Sequence, residues 1–346
     1  MTVDRGIACI RRPEASGGFV LVGVIWFLAV MALVVGGAVL WIERGLDGVE
    51  AERQLLQREI GERSMLSRLT WLISTNRLTV AGQTTPDSVA SQTTDMDASS
   101  LPVGAELPLD GREYCLANGW CFTLMDHAAR LSLSAGTPAT LTSLLVGLGV
   151  PAESTPQMLL DLGLYMRARA AFGGEGAISA RLLRSPMEVF VLPSWRRWED
   201  LLVARGWCDF VSVNEAGLNL NTVDPALLSL AFGFPAESAS RLLAIRTDHP
   251  IMMSSDVAAV FGIHAGNLPE DGWSRLASSI LLIRLRPANA VARYEYQLNF
   301  GADELHQSPW QFLQRRSLQA NVPDATNQRI VHDTPGVLAA PLVASP

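Results

Sequence analysis

Residues able to carry chemistry are few in this chain, and they are scattered. Its five histidines stand at positions 127, 249, 264, 306 and 332, and its four cysteines at 9, 115, 121 and 208. Neither set has the spacing of a zinc site. The H-E-x-x-H, G-x-S-x-G and glycine-rich phosphate-loop patterns are absent, so no nucleophile or metal-activated water can be assembled from local sequence. Asp126-His127 and Asp248-His249 are adjacent pairs that read as solvated or helix-capping residues. The remaining chemistry is thiol oxidation. Cys115 and Cys121 flank a turn at Ala117-Asn118-Gly119, between the β-like runs Glu113-Tyr114-Cys115 and Trp120-Cys121-Phe122. They could bridge in an oxidising compartment, the alternative being two reduced thiols in strands. Cys208 is left as an unpaired, buried thiol. An enzymatic reading finds no residues to support it.

Composition bounds the partners. The formal net charge is −7, and all 27 basic residues other than histidine are arginine, lysine being absent. That balance argues against a broad nucleic-acid-binding surface. With 49% hydrophobic and 18% charged residues in 346, the chain can bury a substantial core.

The N-terminal elements decide the compartment. Residues 19–42 contain no charge, and as a helix they span about 36 Å, enough to cross a bilayer. The preceding residues 1–18 carry Arg5, Arg11 and Arg12 against Asp4 and Glu14, which biases the N-terminus to the cytoplasm and the bulk of the chain outside. No small-residue cleavage site follows Ile42. Instead Glu43-Arg44 opens a charged helical stretch, in which Leu46, Val49, Leu56, Ile60, Leu66, Leu69 and Ile73 form an apolar stripe. Glu50, Glu52, Arg53, Arg58, Glu59, Glu62 and Arg63 cover its other face. The leader ends in Gly17-Gly18 and the apolar run begins at the next residue. This arrangement resembles a type IV prepilin signal, cut after Gly18, with Phe19 as a new, methylated N-terminus. The alternative is an uncleaved signal anchor.

The rest divides by pattern. Residues 76–103 read as a flexible loop, polar and aperiodic from 83 to 100. Residues 104–126 and 277–316 read as β-structure, with strands at 280–286 and 291–300 and an edge strand at 310–313. Across 291–300, Tyr294, Tyr296, Leu298 and Phe300 alternate with Arg293, Glu295, Gln297 and Asn299, predicting one buried and one solvated face. Residues 127–276 read as an inserted helical domain, and 317–346 as a disordered tail. The insertion holds a weak repeat. The run that starts at Asp126-His127 and leads to Pro138 and Pro151-Ala152-Glu153-Ser154 echoes the run from Asn214 to Pro225 and Pro235-Ala236-Glu237-Ser238. Its most specific signature is Leu218-Asn219-Leu220-Asn221-Thr222 before Asp224-Pro225, an N-cap and first-turn pair. The helices after it resemble a helix-hairpin-helix unit. Its hairpin, Phe232-Gly233-Phe234-Pro235, ends in a residue without the N–H that a phosphate contact uses, which favours a packing module.

Taken together, the leader, the β–α–β order and the Leu218–Thr222 motif resemble the K subunit of the type II secretion pseudopilus (the GspK family), over nearly the whole chain up to about Phe312. Gly23 stands at the fifth mature position, where major pilins place a glutamate and K subunits do not. Residues 107–111 and the run from Asp126 fall at the first turn of the family's helical domain, and Leu218 to Thr222 at the second. The resemblance implies an α+β fold: a pilin-like long N-terminal helix and an antiparallel sheet, with a large all-α domain inserted between strands. It implies a single-pass inner-membrane protein with its C-terminal domain in the periplasm, placed at the tip of the pseudopilus. Its partners would be the minor pseudopilins I and J, the major pseudopilin and the prepilin peptidase. One departure concerns the family's calcium site: of its acidic residues only Asp161 and Glu175 remain, with Arg167 and Arg169 nearby. A hard cation wants six or more oxygens, so no calcium or other cofactor is expected. The alternatives are a membrane-anchored helix-hairpin-helix DNA-uptake protein and a minor pilin of a related type IV pilus. The acidic charge and missing lysines weigh against the first.

Overall fold

In the computed structural model the described residues are 17–85, 100–104, 106–172, 183–213, 217–268, 272–288, 293–301 and 309–318. They form two compact units, Met1–Ile60 and Gly61–Pro346.

A single helix, α1 (Gly17–Thr75), contributes to both units. No proline interrupts it, so its backbone ladder runs unbroken. In the first unit every described side chain, from Val20 to Ile60, is exposed. The helix contains a stretch long and apolar enough to cross a membrane.

The second unit begins with the last part of α1, followed by the hairpin β1 (Leu78–Thr79) and β2 (Gly82–Gln83), then β3 (Asp110–Cys115) and β4 (Trp120–Asp126). The insertion comprises β5 (Leu131–Ser132), α2 (Pro138–Gly147), α3 (Thr155–Phe172), α4 (Pro193–Arg196), α5 (Glu199–Ala204), α6 (Trp207–Phe210) and β6 (Val211–Ser212) in its first half. Its second half holds β7 (Leu218–Asn219), α7 (Pro225–Phe232), α8 (Ala236–Asp248), α9 (Ser254–Phe261) and β8 (Trp273–Ser274). The chain then returns as β9 (Ile280–Pro287), β10 (Arg293–Asn299) and β11 (Gln311–Leu318). These build a five-stranded antiparallel sheet in the order β11-β10-β9-β4-β3. Because β4 and β9 are neighbours, the helical insertion is a long excursion between two adjacent strands. The fold is α+β.

Two apolar cores result. In one, Met65, Leu69, Leu72 and Ile73 of α1 pack on Phe122, Leu124, Ile283, Leu285, Tyr296 and Leu298 of the sheet. The other lies within the insertion, around Leu144, Leu145, Trp195, Trp207, Leu227 and Val260.

The repeat is visible in the insertion. β5 and β7 each pair in parallel with a later short strand, β6 and β8. Each is followed by a turn and a helix with proline in its first turn, capped by Thr137 on Thr140 N–H and by Asp224 on Ala226 N–H. The helices α2 and α7 of the two copies pack together. A Cβ on Gly147 would lie 2.7 Å from Leu230 Cδ2, so glycine permits their close approach. After each hairpin glycine, Val150 (2% exposed) and Phe234 (3%) turn into the core. The similar run Phe261-Gly262-Ile263 ends differently, with Ile263 94% exposed. Gly262 adopts φ 56°, ψ −126°, where Gly233 adopts φ 68°, ψ 25°, which sends the chain another way.

Several expectations need correction. Part of the predicted loop at 76–103 is ordered structure: Thr79, Gln83, Thr84 and Thr85 are buried, and Gln83 bridges Leu107. Strands of two residues leave no periodicity to read. Residues 86–99 lie outside the described residues. The edge strand reaches Leu318, past the predicted start of the tail at 317, because its arginines have partners inside the fold. Glu62 and Glu295, placed on solvated faces by pattern, are both buried. Asp126 caps a 3-10 turn, as one of its two readings expects, but it is buried rather than solvated.

Candidate functional site

The expected processing site lies at the start of α1. Gly18 is helical, the side chain of Phe19 lies outside the described residues, and a Cβ on Gly23 would meet nothing within 4 Å. Position 23 offers no carboxylate in the apolar stretch.

The cation candidates do not assemble. Asp161 accepts from Gln157 Nε2 at 2.7 Å along α3, and Glu175 lies outside the described residues. Among the described residues, the one cluster with metal-donor atoms in reach is Glu113, Cys115 and Cys121. There the two sulfurs are bonded to each other, and Glu113 pairs with Arg286 at 2.6 and 2.7 Å. This donor set does not fit a hard cation.

Both helix hairpins spend their N–H groups internally. Gly149 and Val150 donate to Val146 and Leu145 carbonyls of α2, and Gly233 and Phe234 donate to Ser229 and Leu228 carbonyls of α7. Pro151 and Pro235 follow without an N–H, and the exposed acidic residues Glu153 and Glu237 come two positions later. Arg246 of α8 is buried, donating to the Val223 carbonyl at 2.7 Å with Asp110 at 3.7 Å. A phosphate would meet acidic side chains and committed amides here.

The chemistry that is built concerns the junction between sheet and insertion. The chain leaves the sheet at Asp126 and returns beside it at Ser278. The Asp126 carboxylate accepts from Ser278 N–H (3.0 Å) and Oγ–H (2.7 Å), Ala128 N–H (3.0 Å), Asn219 Nδ2 (2.8 Å) and Thr222 Oγ1 (3.3 Å). One side chain therefore ties both crossing points to the Leu218–Thr222 motif. Burial pushes its carboxyl above the usual carboxylate range, while these donors pull it down. Asn221 completes the motif by bonding both the N–H and the carbonyl of Ile251.

A second group covers the face of the sheet turned away from α1. Glu295 on β10 accepts from Arg284 Nε at 2.8 Å and Arg130 Nη2 at 3.2 Å, and Arg316 Nη2 lies 2.6 Å away as an ion-pair partner. Arg284 also bonds Asp209 of α6. Burial raises the Glu295 carboxyl, but the three guanidinium groups more than reverse this and hold it at about 2. Half-buried Cys208 sits beside the group, and burial pushes its thiol up against the pull of Arg316. These residues lay outside the sequence-derived candidates. Their one advance signal is that Ile280 and Leu282 of β9 share a face with Arg284, so that face also has to be covered.

The disulfide lies on this face, joining directly opposed positions of β3 and β4. The turn that it closes reaches the other way, placing Trp120 against Gly61 and Asn118 Nδ2 3.7 Å from Met65 Sδ. At the opposite sheet edge Arg315 donates to Glu62 at 2.8 Å and lies over the Tyr294 ring.

No protein-family model matches this chain, and no curated protein matches it. Among solved structures, it aligns with a chain of the GspK-GspI-GspJ complex from the enterotoxigenic Escherichia coli type 2 secretion system. The alignment covers 80% of this chain and 99% of the other, at 14% identity and a TM-score of 0.42.

Proposed function

We propose that this chain is a minor pseudopilin, anchored in the inner membrane by α1 and capping the tip of a secretion pseudopilus in the periplasm. The observation that carries the reading is the path of α1. An apolar, membrane-length stretch continues without a break into the helix that forms one side of the sheet core. A membrane anchor and an assembly spine are then one element. The prepilin-like junction at Gly18-Phe19 supplies its processing, by a prepilin peptidase that leaves Phe19 as the methylated first residue.

Two features favour the tip over the shaft. In a helical pilus, the charged N-terminal amine of an incoming subunit needs a carboxylate at the apolar depth where it docks, since a lone charge there is costly. Gly23 supplies none, and a subunit with nothing above it loses little by that. The helical insertion adds bulk that regular packing along a shaft would not accommodate. Neighbours of the same class, minor pseudopilins of the I and J type, would lie below it, followed by the major pseudopilin. No catalytic step and no cofactor is assigned.

The test is stoichiometry. Fibre preparations should contain this chain far below one copy per major subunit, and Gly23→Glu should leave secretion nearly intact while deletion of the chain impairs it. Near-equimolar incorporation along the shaft would sink the capping role.

A further inference from the structure

We propose that the ring closed by Cys115–Cys121 is a redox-set clamp, which grips α1 where the helix enters the second unit. The reading is independent of any assembly, because it concerns one chain holding its own helix.

The ring contains residues 116–120, and three of them face α1. Leu116 is buried in the core shared with Met65, Asn118 Nδ2 reaches Met65 Sδ, and the Trp120 indole lies against Gly61. A Cβ at position 61 would be 2.5 Å from Trp120 Nε1 and 2.8 Å from Cε2 and Cζ2, so only glycine lets the indole sit against the helix backbone. Gly61 and Met65 are four residues apart, on one face of the helix. The grip therefore spans one helical turn.

What holds the gripping turn is asymmetric. β4 lies inside the sheet, paired with β9 on its far side. β3 is the edge strand, paired within the sheet to β4 alone, and its register shifts between Asp110 and Glu113. An edge strand with a broken register is the part of a sheet that opens first. Opening it would carry off Leu116 and Asn118 and leave Trp120 without its neighbours. The disulfide prevents this by fixing Cys115 opposite Cys121, at the end of β3 where the turn begins. Forming it converts two thiols into one S–S bond, with two electrons and two protons passing to a disulfide-bearing oxidant. An oxidised dithiol protein or glutathione disulfide serves, and its own S–S bond is broken. A chain in a reducing compartment keeps the clamp open, and one delivered to an oxidising compartment closes it.

Hydrogen exchange read by mass spectrometry on the full-length chain in detergent tests this, before and after reduction by a phosphine, with alkylation showing both thiols free. Amides of residues 61–75 should exchange at least tenfold faster after reduction, while those of β9 and β10 keep their rates. Trp120→Ala, with the disulfide intact, should reproduce the effect, and Gly61→Val should do the same by pushing the indole away. Unchanged exchange of 61–75 with both thiols free overturns the clamp, as does normal protection in Trp120→Ala. A rise shared equally by the whole second unit also overturns it, because the bond would then be a general staple.

Discussion

On the α1 side of the sheet, Phe122, Leu124, Ile283, Leu285 and Leu298 meet Met65, Leu69, Leu72 and Ile73. On the other side, Glu295 gathers Arg130, Arg284 and Arg316, and Glu113 holds Arg286. Both faces are buried, but they are held by different forces. Apolar contact is non-directional and scales with area, so the helix can settle by small shifts. The buried ion cluster costs desolvation of each charge and is favourable only in a narrow geometry. The apolar face secures the helix, whereas the ionic face fixes where the insertion sits on the sheet. Asp126 and the Leu218–Thr222 motif add hydrogen bonds to that orientation, at the two points where the chain crosses.

The largest expected effect breaks the ionic face. Glu295→Ala removes the buried carboxylate shared by Arg130, 3% exposed, Arg284 and Arg316, and leaves the half-exposed Asp209 to face Arg284 and Arg130. It should cost about 4 kcal/mol, read as a shift in denaturant midpoint. The same carboxyl predicts a pH window. Its folded value, about 2, lies below the ordinary glutamate value of 4.5. Its stabilisation is therefore fully present above about 4.5 and drains away as pH falls toward about 2. Acid titration of the wild type should show this loss, and Glu295→Gln should flatten the curve across that window. A wild-type stability that stays constant from pH 5 to 2 would mean that the fold does not lower the Glu295 carboxyl below its unfolded value.

Next in size is the apolar face. Leu69→Ala, at a fully buried position, should cost about 3 kcal/mol through lost transfer and the cavity left behind. The sharper comparison uses near-isosteric changes. Leu69→Met should cost less than about 1.5 kcal/mol, because the face is indifferent to shape at that scale. Glu295→Gln, an equally small change of volume, should cost clearly more. If the two cost the same, the faces do not differ in the way described.

The smallest effect is expected at the sheet edge. Arg315 pairs with buried Glu62, but its own side chain is half exposed. Arg315→Ala should cost about 1 kcal/mol or less and weaken with added salt if charge dominates. A salt-insensitive loss would assign the contribution to its stacking on Tyr294 and Tyr296 instead.

Local pattern determined a good deal of this protein. The charge-free run at 19–42, the apolar stripe ending at Ile73, the β–α–β order, the cap at Asp224-Pro225 and the turn between Cys115 and Cys121 are each set by neighbours within a few residues. They are legible for that reason. The duplication was legible too, because each copy repeats its own turn chemistry.

What tertiary structure alone decided is which charges are buried. Glu295 alternates with Tyr294 and Tyr296 as a solvent-facing residue should, and Asp126 looks like an ordinary cap. Period-2 alternation says that two faces differ, not that water covers the polar one. The partners of Glu295 come from Arg130, at the start of the insertion, and from Arg284 and Arg316, on the strands either side. Those of Asp126 come from Asn219 and Ser278. The energy of a buried charge depends on groups brought close by the whole chain path, and no window of local sequence contains them.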